Sequence, residues 1–364
     1  MHSQCNPKTV ATRLHAQALL VAVVLFSMGD SSETEMQAID ELPGPLRKLD
    51  SYQQKHPSLS VPIAVFKKFG DDEAGKLAAL ISYFAFLSVF PLLIVFATIL
   101  SHALAGQTEL AGSILSTAAG SFLSIGSTDV IEPLDVSGPA LVIGVLVGLW
   151  AGLAVANAMQ DAMNTIYEVP KNRRAGFFPF LLRSLTLLLL VGIGLPTVTL
   201  LQAIAIEGVN ASIATVAILI VAALLNTAII AASFRRATVA KTTWLGVLPG
   251  AAIAAIAWAV MQALATSLLT RQITHAEANY GSFAAVIGLL FWFFLLAQVT
   301  IYCAELNVVV SYRLWPRGLK SIFKGVADTE ADIRAYSHYP KRELQVLNMQ
   351  VNVEVVEGKA DPVE

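Results

Sequence analysis

Two polar faces in an otherwise apolar chain hold most of the chemistry that the sequence offers. Asn157, Gln160, Asp161 and Asn164 stand at i, i+3, i+4 and i+7, one face of a helix. Gln298, Tyr302 and Glu305 make a second face, with Asn307 close by. Polar groups are costly inside a bilayer, so each requires a partner, a solute or water. If the two faces meet, they line a polar vestibule holding two carboxylates, Asp161 and Glu305, suited to a small solute or ion. If they do not, the acids lie at the headgroup level, solvated or paired with Arg173, Arg174 or Arg313. Two isolated polar residues, Asn226 and Gln262, suit hydrogen bonds across helix interfaces, worth about a kcal/mol or less each. The apolar segments carry no Asp, Glu, Lys, Arg or His at their centres, which argues against a midplane proton relay.

Catalytic patterns are missing. The six histidines, His2, His15, His56, His102, His275 and His338, show no HExxH or paired spacing, and no GxSxG, Walker A or GxGxxG element follows a strand pattern. Cys5 and Cys303 lie far apart with no CxxC, so neither a disulfide framework nor a metal site is expected. The sequence therefore predicts no enzyme and no cofactor. A formal net charge of −2, without interleaved basic and aromatic residues, predicts no nucleic-acid partner.

The elements that position the polar faces follow from composition. Of 364 residues, 55% are hydrophobic and 14% charged, too apolar for an ordinary soluble domain. Six segments, roughly 77–101, 139–160, 184–206, 212–234, 244–269 and 282–308, are each long enough to cross a ~30 Å hydrocarbon core as a helix. The fold class is all-α: a polytopic membrane protein with six transmembrane helices, the lipid bilayer its expected partner. Basic residues cluster before the first segment (Arg47, Lys48, Lys55, Lys67, Lys68, Lys76), in the second connection (Lys171, Arg173, Arg174, Arg183), in the fourth (Arg235, Arg236, Lys241) and after the last (Arg313, Arg317, Lys320, Lys324). The first and third connections have none, and the fifth has only Arg271. The positive-inside rule then puts both termini, and both polar faces, on the cytoplasmic side. The chain divides into a cytoplasmic lead (1–76), a six-helix domain (77–312) and a cytoplasmic tail (313–364).

Smaller features add expectations. Gly144, Gly148 and Gly152 form a ridge in the second segment that continues to Ala156, and Gly246 and Gly250 repeat it in the fifth. Such ridges let helices approach closely, within one chain or across a homodimer. Pro62 is expected to open a helix lying at the membrane surface, Ile63, Phe66 and Phe69 on its apolar side and Lys67, Lys68, Asp71 and Asp72 elsewhere. The outer connection 106–138 has helical periodicity, whereas 347–355 alternates as a strand. An apolar run at 14–28 resembles a signal-peptide core but conflicts with the topology; a start at Met28 or Met36 would remove the conflict.

Three stretches carry a family resemblance: YFAFLSVFPLLIVFATIL (Tyr83 to Leu100), LWAGLAVANAMQDAMNTIYEVP (Leu149 to Pro170) and YGSFAAVIGLLFWFFLLAQVTIYCAELN (Tyr280 to Asn307). Together they resemble the YihY/BrkB family of bacterial inner-membrane proteins over about 77–312. Cys303 departs from the glycine expected before the Ala304–Glu305 pair, which bears on a tight backbone approach there. The resemblance implies six membrane helices and an inner-membrane location. It also brings the label ribonuclease BN, which the residues do not support, since neither a metal cluster nor a basic strand-binding surface is visible. The residues favour a permease-like or flux-associated protein acting on an unknown small solute. The alternative is a non-transporting scaffold that recruits envelope partners.

Overall fold

The computed structural model describes residues 43–103, 138–207, 213–280, 283–323, 327–346 and 349–353. The apolar run 14–28 and nearly all of the outer connection 106–138 lie outside them. Among the described residues every regular element is a helix. The elements are α1 (Gly44–Lys55), α2 (Pro57–Asp71), α3 (Ala74–Ala103), α4 (Gly138–Ile166), α5 (Phe177–Glu207), α6 (Ile213–Ala237), α7 (Trp244–Tyr280), α8 (Phe283–Ser311), α9 (Leu319–Phe323), α10 (Glu330–Tyr336) and α11 (Tyr339–Arg342). Five of them, α4 to α8, are long and apolar enough to cross a membrane, and Ala74–Val89 is a further apolar stretch of the 30-residue α3. This is a polytopic membrane protein. Helix α7 runs to Tyr280, well past the expected end at 269, so most of the fifth connection is helix.

The long helices form a closed ring. Each packs on its sequence neighbour, and α8 returns to α3. Small residues make the interior, among them Ala78, Ala151, Ala156, Ala162, Ala251 and Ala304, while Leu182, Leu189, Ile193, Leu224 and Ile256 point outward. This arrangement follows from the solvent: lipid tails accept large apolar side chains, and association relies on close van der Waals approach. The closest approach lies between α7 and α8. A methyl group on Gly250 would lie 2.1 Å from the Cys303 carbonyl oxygen, and the Gly250 N–H donates to Asn307 Oδ1 at 2.7 Å. The tight backbone contact at Cys303 is thus made by the facing glycine. Gly152 lies under Leu188 of α5, 2.9 Å from where its Cβ would be, and Gly246 lies near Ser311.

At the end of the ring that holds Arg174, Arg235 and Arg313, the lead and the tail make one layer. Helix α2 packs on α8, with α1 against α2. It opens at Pro57, and Pro62 lies inside it. Its expected faces are inverted: Lys67, Lys68 and Asp72 are buried, whereas Phe66 is 66% exposed. The reason is a tail that supplies counter-charges. Asp332 accepts from Lys67 Nζ at 2.6 Å, Arg317 Nε at 2.9 Å, the Gly318 N–H at 2.8 Å, and the hydroxyls of Ser321 and Thr329. Arg317, fully buried, also donates to Asp71 at 2.9 Å. These donors hold the Asp332 carboxyl below the usual range against the opposing effect of burial. The described residues of the expected strand, 349–353, form none, and no second strand is described to pair with them.

The glycine contact gives a direct test. Gly250→Val places a side chain where the Cys303 carbonyl and Asn307 already sit, so α7 and α8 must separate. We expect a loss of at least about 3 kcal/mol, in the upper range for overpacking and lost interactions, read as a lowered unfolding temperature in detergent. An unchanged temperature would contradict the packing.

Candidate functional site

The polar contacts of the two predicted faces diverge. Ser184 of α5 donates to Asn157 Oδ1 at 2.5 Å, and Gln160 Nε2 donates to Ser184 Oγ at 2.5 Å and to the Phe180 carbonyl at 3.2 Å. Asn164 Oδ1 accepts from the Val239 N–H at 2.9 Å and from Thr238 at 3.3 Å, pinning the turn between α6 and α7. Asp161 is half exposed and lies 3.8 Å from Arg174. The α4 set therefore clamps α5 and the α6–α7 turn. Asn226 Oδ1 is buried without a hydrogen-bond partner among the described residues, unlike the cross-helix bond expected of it.

The α8 set faces the terminal layer instead. Tyr302 stacks on Phe69 of α2, with ring centroids 3.9 Å apart, and Gln298 is half-buried two turns before Glu305. Glu305 is fully buried, its carboxylate 3.4 Å from the Lys68 ammonium. Lys68, itself fully buried, donates to Asp72 one turn on and lies 3.5 Å from Glu168. Asp72 accepts from Arg342 at 2.6 Å, and His338 Nδ1 lies 3.6 Å from Glu168. So Lys68, Asp72, Glu168 and Glu305, none of them more than 8% exposed, converge from α2, the end of α4, and α8.

Glu168 and Lys68 are the residues that sequence reasoning missed. Helix α4 ends with the Val169 N–H donating to the Asn164 carbonyl and Glu168 at φ 54°, the left-handed position where glycine is usual. A glutamate there costs roughly 1 kcal/mol of backbone strain and aims a carboxylate inward. A charged residue at a helix-terminating position just before Val169–Pro170 was the available clue.

The electrostatics are unbalanced. Three carboxylates share two buried or half-buried cations, Lys68 and Arg342. Burial opposes the charge on Lys68, but Glu305, Asp72, Tyr339 and Glu168 outweigh it and raise the ammonium above the ordinary lysine value. At Glu168, burial raises the carboxyl above its usual range, with Lys68 and His338 opposing and Asp72 adding. Both carboxylate oxygens of Glu168, both of Glu305 and the Tyr167 hydroxyl are buried with no hydrogen bond among the described residues. Such a cluster can hold a proton or a small polar group.

A ring of apolar helices, with a buried charge cluster where its terminal layer docks, defines a polytopic helical membrane protein. The model of the family described as Virulence factor BrkB matches residues 65–321, well over half the chain, and the chain belongs to this family. Lys68, Glu168, Glu305 and Arg317 all fall within the match. The chain is also similar to the putative ribonuclease-like protein YfkH of Bacillus subtilis (strain 168), 26% identical over 260 residues, covering 68% of this chain and 94% of YfkH. No solved structure matches.

The raised Glu168 carboxyl sets a pH dependence. An acid whose folded pKa exceeds its unfolded value of about 4.3 contributes stability below that value and loses it as pH rises through the folded pKa. Glu168→Gln should therefore unfold near the wild-type temperature at pH 4 and increasingly above it toward pH 8. Glu168→Gly should add roughly 1 kcal/mol by relieving the left-handed backbone. Thermal unfolding of the variants across pH checks both, and destabilisation at pH 8 would show that the ionised group supports the fold.

Proposed function

We propose that this BrkB-family protein is a permease-type protein of the bacterial inner membrane, with six spans, both termini cytoplasmic, and a polar centre at Lys68, Glu168 and Glu305. The sixth span in this reading is α3. The observation that supports it is the set of carboxylate oxygens around Lys68: buried, ion-paired with the ammonium at 3.4–3.5 Å but without a hydrogen bond among the described residues, they suit a centre that takes up and releases a proton or a polar solute. Of the polar vestibule expected from the sequence, Glu305 belongs to this centre, whereas Asn157, Gln160 and Asn164 clamp helices, their hydrogen bonds going to α5 and to the α6–α7 turn.

A second reading, the scaffold, draws on the welded terminal layer. Asp332 with its five donors builds a rigid surface from both chain ends, suited to holding a partner. RNA cleavage is not assigned. The ribonuclease-like description belongs to YfkH, and the carboxylates gathered around Lys68 are buried.

Proteoliposomes distinguish the readings. Vesicles holding a pH-sensitive dye, tested under imposed gradients with a panel of small organic ions, should show a flux absent from empty vesicles. Glu305→Gln should lower it about tenfold, the factor for an interaction of about 1.4 kcal/mol, and Asp161→Asn should leave it nearly unchanged. No flux for any solute, with a cellular phenotype abolished by removing residues 327–364, would establish the scaffold instead.

A further inference from the structure

A second charged group lies where α5 meets α6, and among the described residues it has no counter-charge. Arg183 donates to the Thr238 carbonyl at 2.6 Å and to the Arg236 carbonyl at 3.5 Å. Arg236 in turn reaches Thr186 Oγ1 at 3.4 Å, and its Nε is buried with no hydrogen bond among the described residues. Arg235 lies over the Trp244 ring at 4.7 Å. Among the described residues no carboxylate comes within ion-pair distance of Arg183, Arg235 or Arg236. Two guanidinium groups side by side, half-buried and unneutralised, are costly unless an anion joins them.

The same spot opens onto an apolar groove. Thr186, the acceptor for Arg236, begins a cleft of about 470 Å³ between α5 and α6, continued by Leu189, Ile193, Leu225 and Ile229 to Thr197. From Thr186 to Thr197 the groove runs about 16 Å at 1.5 Å per residue, close to one leaflet of a ~30 Å core. Gly194 lies beside Ile229 in its wall, where a Cβ would be 2.8 Å from Ile229 Cδ1. Exposed Phe177, Phe178 and Trp244 lie at the same end of these helices, as aromatic residues do at headgroup depth.

We infer that Arg183 and Arg236, with the groove below them, form a binding site for an acidic phospholipid of the cytoplasmic leaflet. The headgroup phosphate takes N–H groups of the paired guanidiniums, and one acyl chain lies along Leu189, Ile193 and Leu225. Guanidinium forks match phosphate oxygens in geometry and charge, and basic pockets between membrane helices on the cytoplasmic side bind such headgroups. Charge complementarity selects an acidic lipid, and the groove selects a lipid over a free anion.

Native mass spectrometry and thermal unfolding of the full chain in detergent, with added phosphatidylglycerol, phosphatidylcholine or inorganic phosphate, test this. Phosphatidylglycerol should stay bound and raise the unfolding temperature, whereas phosphatidylcholine and phosphate at equal concentration should not. The Arg183→Gln/Arg236→Gln pair should weaken phosphatidylglycerol binding at least about tenfold. Leu225→Trp, which fills the groove and leaves both arginines in place, should do the same and guards against misfolding of the double variant. Equal binding of the two lipids, protection by phosphate alone, or unchanged binding in Leu225→Trp would each overturn the site.

Discussion

A lysine ammonium buried at the base of a membrane bundle is the constraint on which the rest depends. Lys68 is fully buried, so its charge is met by Asp72 just past the end of its own helix and by Glu305 on the last span, with the Glu168 carboxyl 3.5 Å away at the end of α4. Removing a charge from water costs several kcal/mol, which only nearby opposite charges offset. That requirement fixes two elements at once. Helix α2 must lie against α8, and the tail must close over the cluster through Arg342, which pairs with Asp72.

The ring itself follows a different logic. Its helices face lipid with large apolar side chains and face one another with alanine and glycine, because close contact, and not exclusion of water, holds membrane helices together. Gly250 against the Cys303 carbonyl is the extreme case, with Asn307 Oδ1 accepting from its buried N–H. The terminal layer, in contrast, follows the rules of a soluble core that contains ions: Arg317, Lys67 and Asp332 are buried together with nearly every hydrogen bond made. The charge cluster lies where these two regimes meet.

Much of this architecture was legible in the sequence. The five apolar helices that the structure bears out, and the α3 segment beside them, announced themselves through length and lack of charge. Burial within the lead did not. Lys67 and Lys68 read as solvated because helical periodicity assigns charge to water and Phe66 to the interior, while the true partner surface was supplied by Asp332 and Glu305, more than two hundred residues away. Asn157, Gln160 and Asn164 share one face by their spacing, yet a face does not name its neighbour. The α5 serine and the α6–α7 turn that they hold are facts of tertiary packing. The family likeness stated from three stretches agrees with the matched span 65–321, which reaches into both chain ends and takes in the buried cluster.

The central claim is that Lys68 and Glu305 are buried as a coupled pair, and a double-mutant cycle measures the coupling directly. With unfolding followed in detergent, Lys68→Met alone should cost about 3–5 kcal/mol by leaving buried carboxylates unpaired. Lys68→Met combined with Glu305→Gln should recover much of that loss. If the two substitutions instead destabilise additively, the residues do not interact, and the account of how the terminal layer docks on the membrane ring is wrong.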